Sequence, residues 1–201
     1  MLIEHRGLKP RLGKDVYIAP NAAISGDVEI GAGSCVLYGA VLTSEGGPIR
    51  VGRDCVIMEN AVLRGAPGAA LTIGDNVLVG PRAYLTGCTV EDSAFLAAGS
   101  TVFNQAVIGA RAEVRINAVV HLKTYLPVGC TVPIGWVAVG HPVQILPPDR
   151  HEAIWEVQKT LDFPGTVFGM ERPKDGKSLM PTVMPRYAKA LRRHLQDKPL
   201  D

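Results

Sequence analysis

No apolar stretch in this chain reaches the roughly 18 residues that a membrane-spanning helix needs. The opening residues Met1-Leu2-Ile3-Glu4-His5-Arg6 lack the apolar core of a secretory signal, so a soluble, cytoplasmic protein without membrane attachment is expected. Charge of one sign is nearly balanced out. The formal net charge is +2 and no basic run is interleaved with aromatics, which gives no reason to expect nucleic acid as a partner. The 4 cysteines form no CxxC pair; Cys55 and Cys130 read as small interior thiols rather than disulfide or metal ligands. One domain is the default for 201 residues, and 47% apolar content is ample for a core.

What the chain does have is a beat of six. Nineteen aliphatic residues mark it, from Ile18, Ile24, Ile30, Val36 and Leu42 through Leu63 and Leu85 to Leu126 and Val132. Four positions after most of them stands a second, mostly small residue, such as Ala22, Ser34, Ala40, Cys55, Ala61, Ala83, Ala106 and Ala118. A period of six fits neither a helix nor a two-faced strand. It fits a solenoid in which each hexad is one short strand plus a turn, the aliphatic filling the interior and the small residue letting the chain bend close to it.

The beat breaks three times: Leu42 to Val51 is nine residues, Leu63 to Ile73 ten, and Leu85 to Val90 five. With three hexads per coil, all three breaks fall at one corner of a triangular prism on successive coils, with strands stacked about 4.8 Å apart. Such loops either line a pocket or pack on another subunit.

After Leu146, Pro147-Pro148 stops the coil. Two domains are therefore expected, a solenoid over 1–146 and a helical extension over 147–201. Asp149 to Glu152 reads as a capping box, followed by a helix with Ile154, Val157 and Leu161 on one stripe that ends before Phe163-Pro164-Gly165. A last helix is expected from about Arg186 to Gln196, with Tyr187, Leu191 and Leu195 in line. From Glu171 onward eight Lys/Arg face four Asp/Glu, which reads as a solvated tail. His5, His151 and His194 fall outside the repeats and carry no signal, and His141 has no evident mechanism.

The stretches Gly26-Asp27-Val28-Glu29-Ile30-Gly31, Tyr38-Gly39-Ala40-Val41-Leu42, Gly47-Pro48-Ile49-Arg50-Val51-Gly52, Ile73-Gly74-Asp75-Asn76-Val77 and Leu85-Thr86-Gly87-Cys88-Thr89-Val90 resemble the γ-class carbonic anhydrases of the hexapeptide-repeat superfamily. The resemblance covers about residues 8 to 146. It implies an all-β solenoid, a left-handed parallel β-helix with C-terminal α-helices, and the hand comes from the resemblance alone. It also implies a homotrimer, with zinc held by three histidines in the cleft between subunits.

At the three positions matching those histidines the sequence has Arg64, Pro81 and Thr86. Proline offers no donor, arginine stays charged and a lone threonine hydroxyl is a poor zinc ligand. Zinc brings the pKa of its bound water to about 7, so without it carbonic anhydrase activity is not expected, and neither metal nor other cofactor is assigned. The family's acidic residue before Pro-Ile corresponds to Glu45, and its Gln-Asp pair to Met58-Glu59.

If a trimer joins the faces as in the family, Glu45 and Glu59 are the candidate catalytic residues. Arg64, Arg82, Asn60, Tyr84, Thr86 and His121 would then bind a small, anionic carboxylate or acyl compound. Plainer readings stand beside each. Arg64 and Glu59 can form an intersubunit salt bridge, Tyr84 and Phe103 can be packing residues, and His121, about 10 Å above Thr86, can be an ordinary interface histidine. Two other functions compete: a CoA-dependent acyltransferase, disfavoured because the longest break (64–72) carries no histidine, and a catalytically silent trimeric scaffold.

Overall fold

The computed structural model describes residues 1–171, 173 and 176–200. The chain winds as a parallel β-solenoid of about eight turns, matching the left-handed β-helix. Eight parallel strands make the first face, among them Leu2–Glu4, Ala23–Ser25, Val41–Ser44, Val62–Gly65, Tyr84–Thr86, Thr101–Val102 and Val119–Val120. Among the described residues the second and third faces hold seven strands each. Registers advance by one coil: Leu63 pairs with Leu42 below and Leu85 above.

The beat of six holds in space. Of the nineteen aliphatics, all but the half-buried Ile18 are buried, and nearly all of the small column lies beside them. The corners explain the polar hexad positions. Asp54, Asn76 and Arg111 turn the second face into the third, and Asn60, Arg82 and Asn117 turn the third into the first, all with positive φ. Asn and Asp tolerate that left-handed conformation better than most residues. All four cysteines are free, and burial pushes the Cys88 thiol up to about 12.

The three breaks all lie at the corner between first and second faces, in the loops after Val41–Ser44, Val62–Gly65 and Tyr84–Thr86. The middle loop doubles back on itself, with Ala66 and Ala69 exchanging backbone hydrogen bonds. Gly65 is required there, because a Cβ would stand 1.9 Å from the Gly47 carbonyl oxygen of the loop below.

The extension differs from expectation in four ways. The first helix, α1, runs His151–Gln158 with Arg150 at its N-cap and no capping side chain, so Asp149 and Glu152 form no capping box. The Pro147-Arg150 turn, closed by an Arg150 N–H to Pro147 C=O bond, starts the helix one residue late. The first helix does end before Phe163-Pro164-Gly165, through a 3-10 turn at Lys159–Leu161, but those residues then open a further helix, α2 (Phe163–Phe168), whose cap is the Asp162 side chain accepting from Gly165 N–H. The last helix, α3, begins earlier, at Met180–Leu191, and the 3-10 turn Arg192–Gln196 that follows leaves Leu195 exposed.

The fourth difference matters most. Most described tail residues are exposed, as a solvated tail would be, but the tail follows a fixed path: it crosses the first face, and its last strand, Lys198–Leu200, pairs antiparallel with Leu2–Glu4. Arg172, Lys174, Asp175 and Asp201, counted in the tail's basic balance, lie outside the described residues.

Candidate functional site

The site is built on the outward side of the first face. Alternation along a strand turns Leu63 into the core and Arg64 outward, and the same logic turns out Tyr84 and Thr86 on the next strand, with Arg64 directly beside Thr86. Stacking continues upward through Phe103 to His121. Helices α2 and α3 roof these residues and leave a cleft of about 610 Å³. Its floor includes Arg64, Tyr84, Thr86, Phe103 and Asn104; its roof includes Phe163, Phe168, Met170, Val183 and Tyr187. The Phe103 ring meets Phe163 edge-on at 6.4 Å, and Phe163 meets Phe168 likewise at 6.0 Å. The face bearing Leu63-Arg64 and Phe103, which a lone prism would expose, is thus covered by the chain's own tail.

Arg64 donates to the Tyr187 hydroxyl and stands 3.8 Å from Glu45, itself in the first break loop. Burial opposes its charge, but Tyr187 and Glu45 outweigh that and hold the guanidinium protonated more firmly than usual. On its other side Glu45 accepts from His194 Nε2 at 2.7 Å, and His194 Nδ1 lies 2.7 Å from Asp197. Asp197 in turn lies 2.6 Å from His5 Nδ1. With carboxylates on both ring nitrogens, His194 gains proton affinity: burial works against it, and hydrogen bonds to Asp197 and Glu45 prevail. Asp197 shifts down, its desolvation outweighed by the two histidines.

Of the residues singled out in the sequence, Glu45, Arg64, Tyr84 and Thr86 meet at or beside this cleft. Glu59, Asn60 and Arg82 do not. They occupy the third-to-first corner, which precedes the strands Val62–Gly65 and Tyr84–Thr86, so the width of the first face separates them from Arg64 and Thr86 within one chain. Arg64 therefore has Glu45 rather than Glu59 as its acidic partner here. His121 is buried against Phe103 at 5.7 Å, its Nδ1 has no partner among the described residues, and burial lowers its pKa toward the neutral form. Tyr187, His194, Asp197 and His5 were not legible as site residues. Only the three-dimensional path of the tail brings them to Glu45.

The comparisons agree with this architecture. Residues 9–44 match the family model "Bacterial transferase hexapeptide (six repeats)". The chain winds its hexapeptide repeats as a solenoid that matches the left-handed β-helix. Within that class its sequence is γ-carbonic anhydrase-like. It is 40% identical over 126 residues to the mitochondrial γ-carbonic anhydrase 2 of Arabidopsis thaliana, covering 60% of this chain and 45% of that one. A carbonic anhydrase of Geobacillus kaustophilus is 29% identical over 109 residues, covering 54% and 60%. Among solved structures, a hexapeptide transferase family protein from Anaplasma phagocytophilum superposes with a TM-score of 0.60 at 29% identity, covering 80% of this chain and 92% of that one. The chain spans about half the length of these curated relatives. No helix among the described residues is long and apolar enough to cross a membrane.

Proposed function

We propose that this chain is a cytoplasmic, γ-carbonic anhydrase-like homotrimer that binds a small carboxylate or acyl compound on Arg64, without zinc at the three family positions. The observation that carries the reading is the Arg64 guanidinium in a cleft that Arg186 also lines and whose walls include Phe103, Phe163, Phe168 and Val183. A fixed cation beside apolar walls suits an anion with a hydrocarbon body, and the planar guanidinium matches a carboxylate in two-point contact. Arg64 and Thr86, neighbours in register, offer a charge and a hydroxyl where the family has imidazoles, and Pro81 offers nothing. Glu45, fastened between Arg64 and His194, is the group in reach of a bound ligand's proton. Glu59, Asn60 and Arg82 join the same site only if a neighbouring subunit presents them.

A thermal-shift screen of carboxylates and acyl compounds tests the reading, because a specific ligand stabilises the folded state by RT ln(1 + [L]/Kd). Arg64→Ala should weaken any hit by about 1.5–3 kcal/mol, roughly 10- to 100-fold, the range for a hydrogen bond to a charged group. If no such compound shifts the wild-type melting temperature, Arg64 serves only to fasten α3 through Tyr187 and the silent-scaffold reading takes over.

One observation favours a second reading. The longest break carries no histidine, yet the tail delivers His194 to the corner where the breaks cluster. A hexapeptide acyltransferase with His194 as its base fits that placement, and acetyl-CoA affinity decides between the two.

For assembly we propose a different face from the one the resemblance suggested. The second face is tied in ion pairs among Arg11, Asp27, Glu29 and Arg50, and the tail covers the first. The third turns Tyr17, Val56, Leu78 and Phe95 outward, with Tyr17 45% and Phe95 38% exposed. A ladder of this kind is apolar surface of the sort subunits bury. Sedimentation equilibrium should return three times the 21.4 kDa chain mass, and Phe95→Glu should return one. A wild-type monomer at micromolar concentration would sink both the trimer and any role for Glu59 and Arg82 in the cleft.

A further inference from the structure

We propose that His5, His194 and Asp197 form a binding site for one divalent transition-metal ion of the zinc type, which staples the two ends of the chain together. The strand pairing creates the site. Leu2, Ile3 and Glu4 face Leu200, Pro199 and Lys198 in antiparallel register, and one further step sets His5 opposite Asp197. His194 lies three residues before Asp197 across the 3-10 turn, where side chains at that spacing eclipse. Two imidazoles and one carboxylate converge as a result. Their rings stack at 4.4 Å between centroids, both Nδ1 atoms point at Asp197, and the three donor atoms lie within 4.8 Å of one another.

The donor chemistry selects the ion. Two imidazole nitrogens and one carboxylate oxygen form a borderline set that suits Zn²⁺, Co²⁺ or Fe²⁺; Mg²⁺ and Ca²⁺ prefer oxygen alone. Three protein ligands complete a tetrahedral ion with one water. The next layer of contacts is in place as well. Glu45 accepts from His194 Nε2, which pins that ring's proton on the far nitrogen and turns the Nδ1 lone pair toward the site. Arg64, 3.8 Å away, fixes Glu45 in turn. His5 is 95% buried, so its ring is already immobilised, while His194 and Asp197 keep enough exposure for an ion to enter. The ion would take the place of the protons now shared between Asp197 and the two rings. None of these ligands is Arg64, Pro81 or Thr86, and the inference does not depend on what the cleft binds.

The test uses the 201-residue chain stripped with EDTA and titrated calorimetrically with Zn²⁺ alone. One Zn²⁺ per chain is expected, together with a rise in melting temperature. Co²⁺ should give the visible absorption of a four- or five-coordinate nitrogen–oxygen site. Glu45→Gln, which keeps shape and leaves all three ligands, should weaken binding about 10- to 100-fold, the usual effect of losing a group that orients a ligand. Asp197→Ala and His194→Ala should weaken it further, and His121→Ala should leave it unchanged. Equal Zn²⁺ affinity in wild type, Asp197→Ala and His194→Ala would put the ion elsewhere and overturn the proposal. Absence of Zn²⁺ binding to the wild type would overturn it too, leaving a hydrogen-bonded clasp. Should the alanine variants fail to fold, Glu45→Gln and the wild-type Co²⁺ spectrum still decide.

Discussion

Leu63→Ala should melt roughly 4–20 °C below the wild type, with a loss of about 2–5 kcal/mol for a buried leucine truncated to alanine in a chain of this size. Leu63 is fully buried and stands in the interior column between Leu42 and Leu85, with which it pairs on the adjacent coils. The backbone around it cannot collapse to fill the gap, because the coil spacing is fixed by hydrogen bonds on all three faces. The cavity term should therefore be near the upper end of its range. In a solenoid each coil contacts chiefly its neighbours, so the loss is local before it is global. Since Arg64 is the next residue on the same strand, ligand binding in the cleft should weaken in Leu63→Ala at temperatures where circular dichroism still reports a folded sheet. The control is Ile18→Ala, half-buried on the first strand of the third face, which should cost less. Equal costs at the two positions would mean that the aliphatic column does not form one continuous core.

The column itself was legible because its signal repeats nineteen times and every copy is answered by the same environment. The triangular cross-section followed from the same count: three irregular intervals could share one corner only if three hexads complete a coil, and the loops after Ser44, Gly65 and Thr86 do share it. The Arg64–Thr86 adjacency was readable for the same reason. What periodicity could not carry was the tail. Lys198–Leu200 is a three-residue strand with Pro199 at its centre, a composition that argues against strand, and its partner lies at the opposite end of the sequence. Nothing repeats there, so nothing announces the pairing. Yet that pairing alone brings His5, His194 and Asp197 together. His194 looked inert because its role depends on a contact with Glu45 across 149 residues. The capping box failed for a smaller reason of the same kind, since Asp149 and Glu152 have the right spacing but the Pro147-Arg150 turn displaces the helix start.

A chain ending at Ser178 should keep its β-sheet circular dichroism and lose the cleft. Removing residues 179–201 takes away Val183, Arg186 and Tyr187 from the roof, and with Tyr187 goes the hydroxyl that Arg64 binds. Glu45 loses His194, so the pair of acidic and basic groups at the break corner is left with only its floor half. Any carboxylate or acyl ligand found with the full chain should fall below detection, a larger loss than Arg64→Ala alone, because the apolar wall and the positioned cation disappear together. Zn²⁺ binding at the termini should vanish for the simpler reason that two of the three proposed ligands are gone. The solenoid should survive: its interior column and its faces involve no residue beyond 146 apart from the strand Lys198–Leu200. That strand shields Leu2–Glu4, however, and without it the first face ends on a bare edge with unpaired backbone groups. The truncated chain should consequently melt lower and associate end to end at high concentration. Light scattering read against sedimentation separates this from the trimer proposed through the third face, which lies on another side of the prism and should persist. A truncated chain that retains full ligand affinity would show that the cleft under α3 is not the binding site. The pocket would then have to be sought where the third-to-first corner, with Glu59, Asn60 and Arg82, meets a neighbouring subunit.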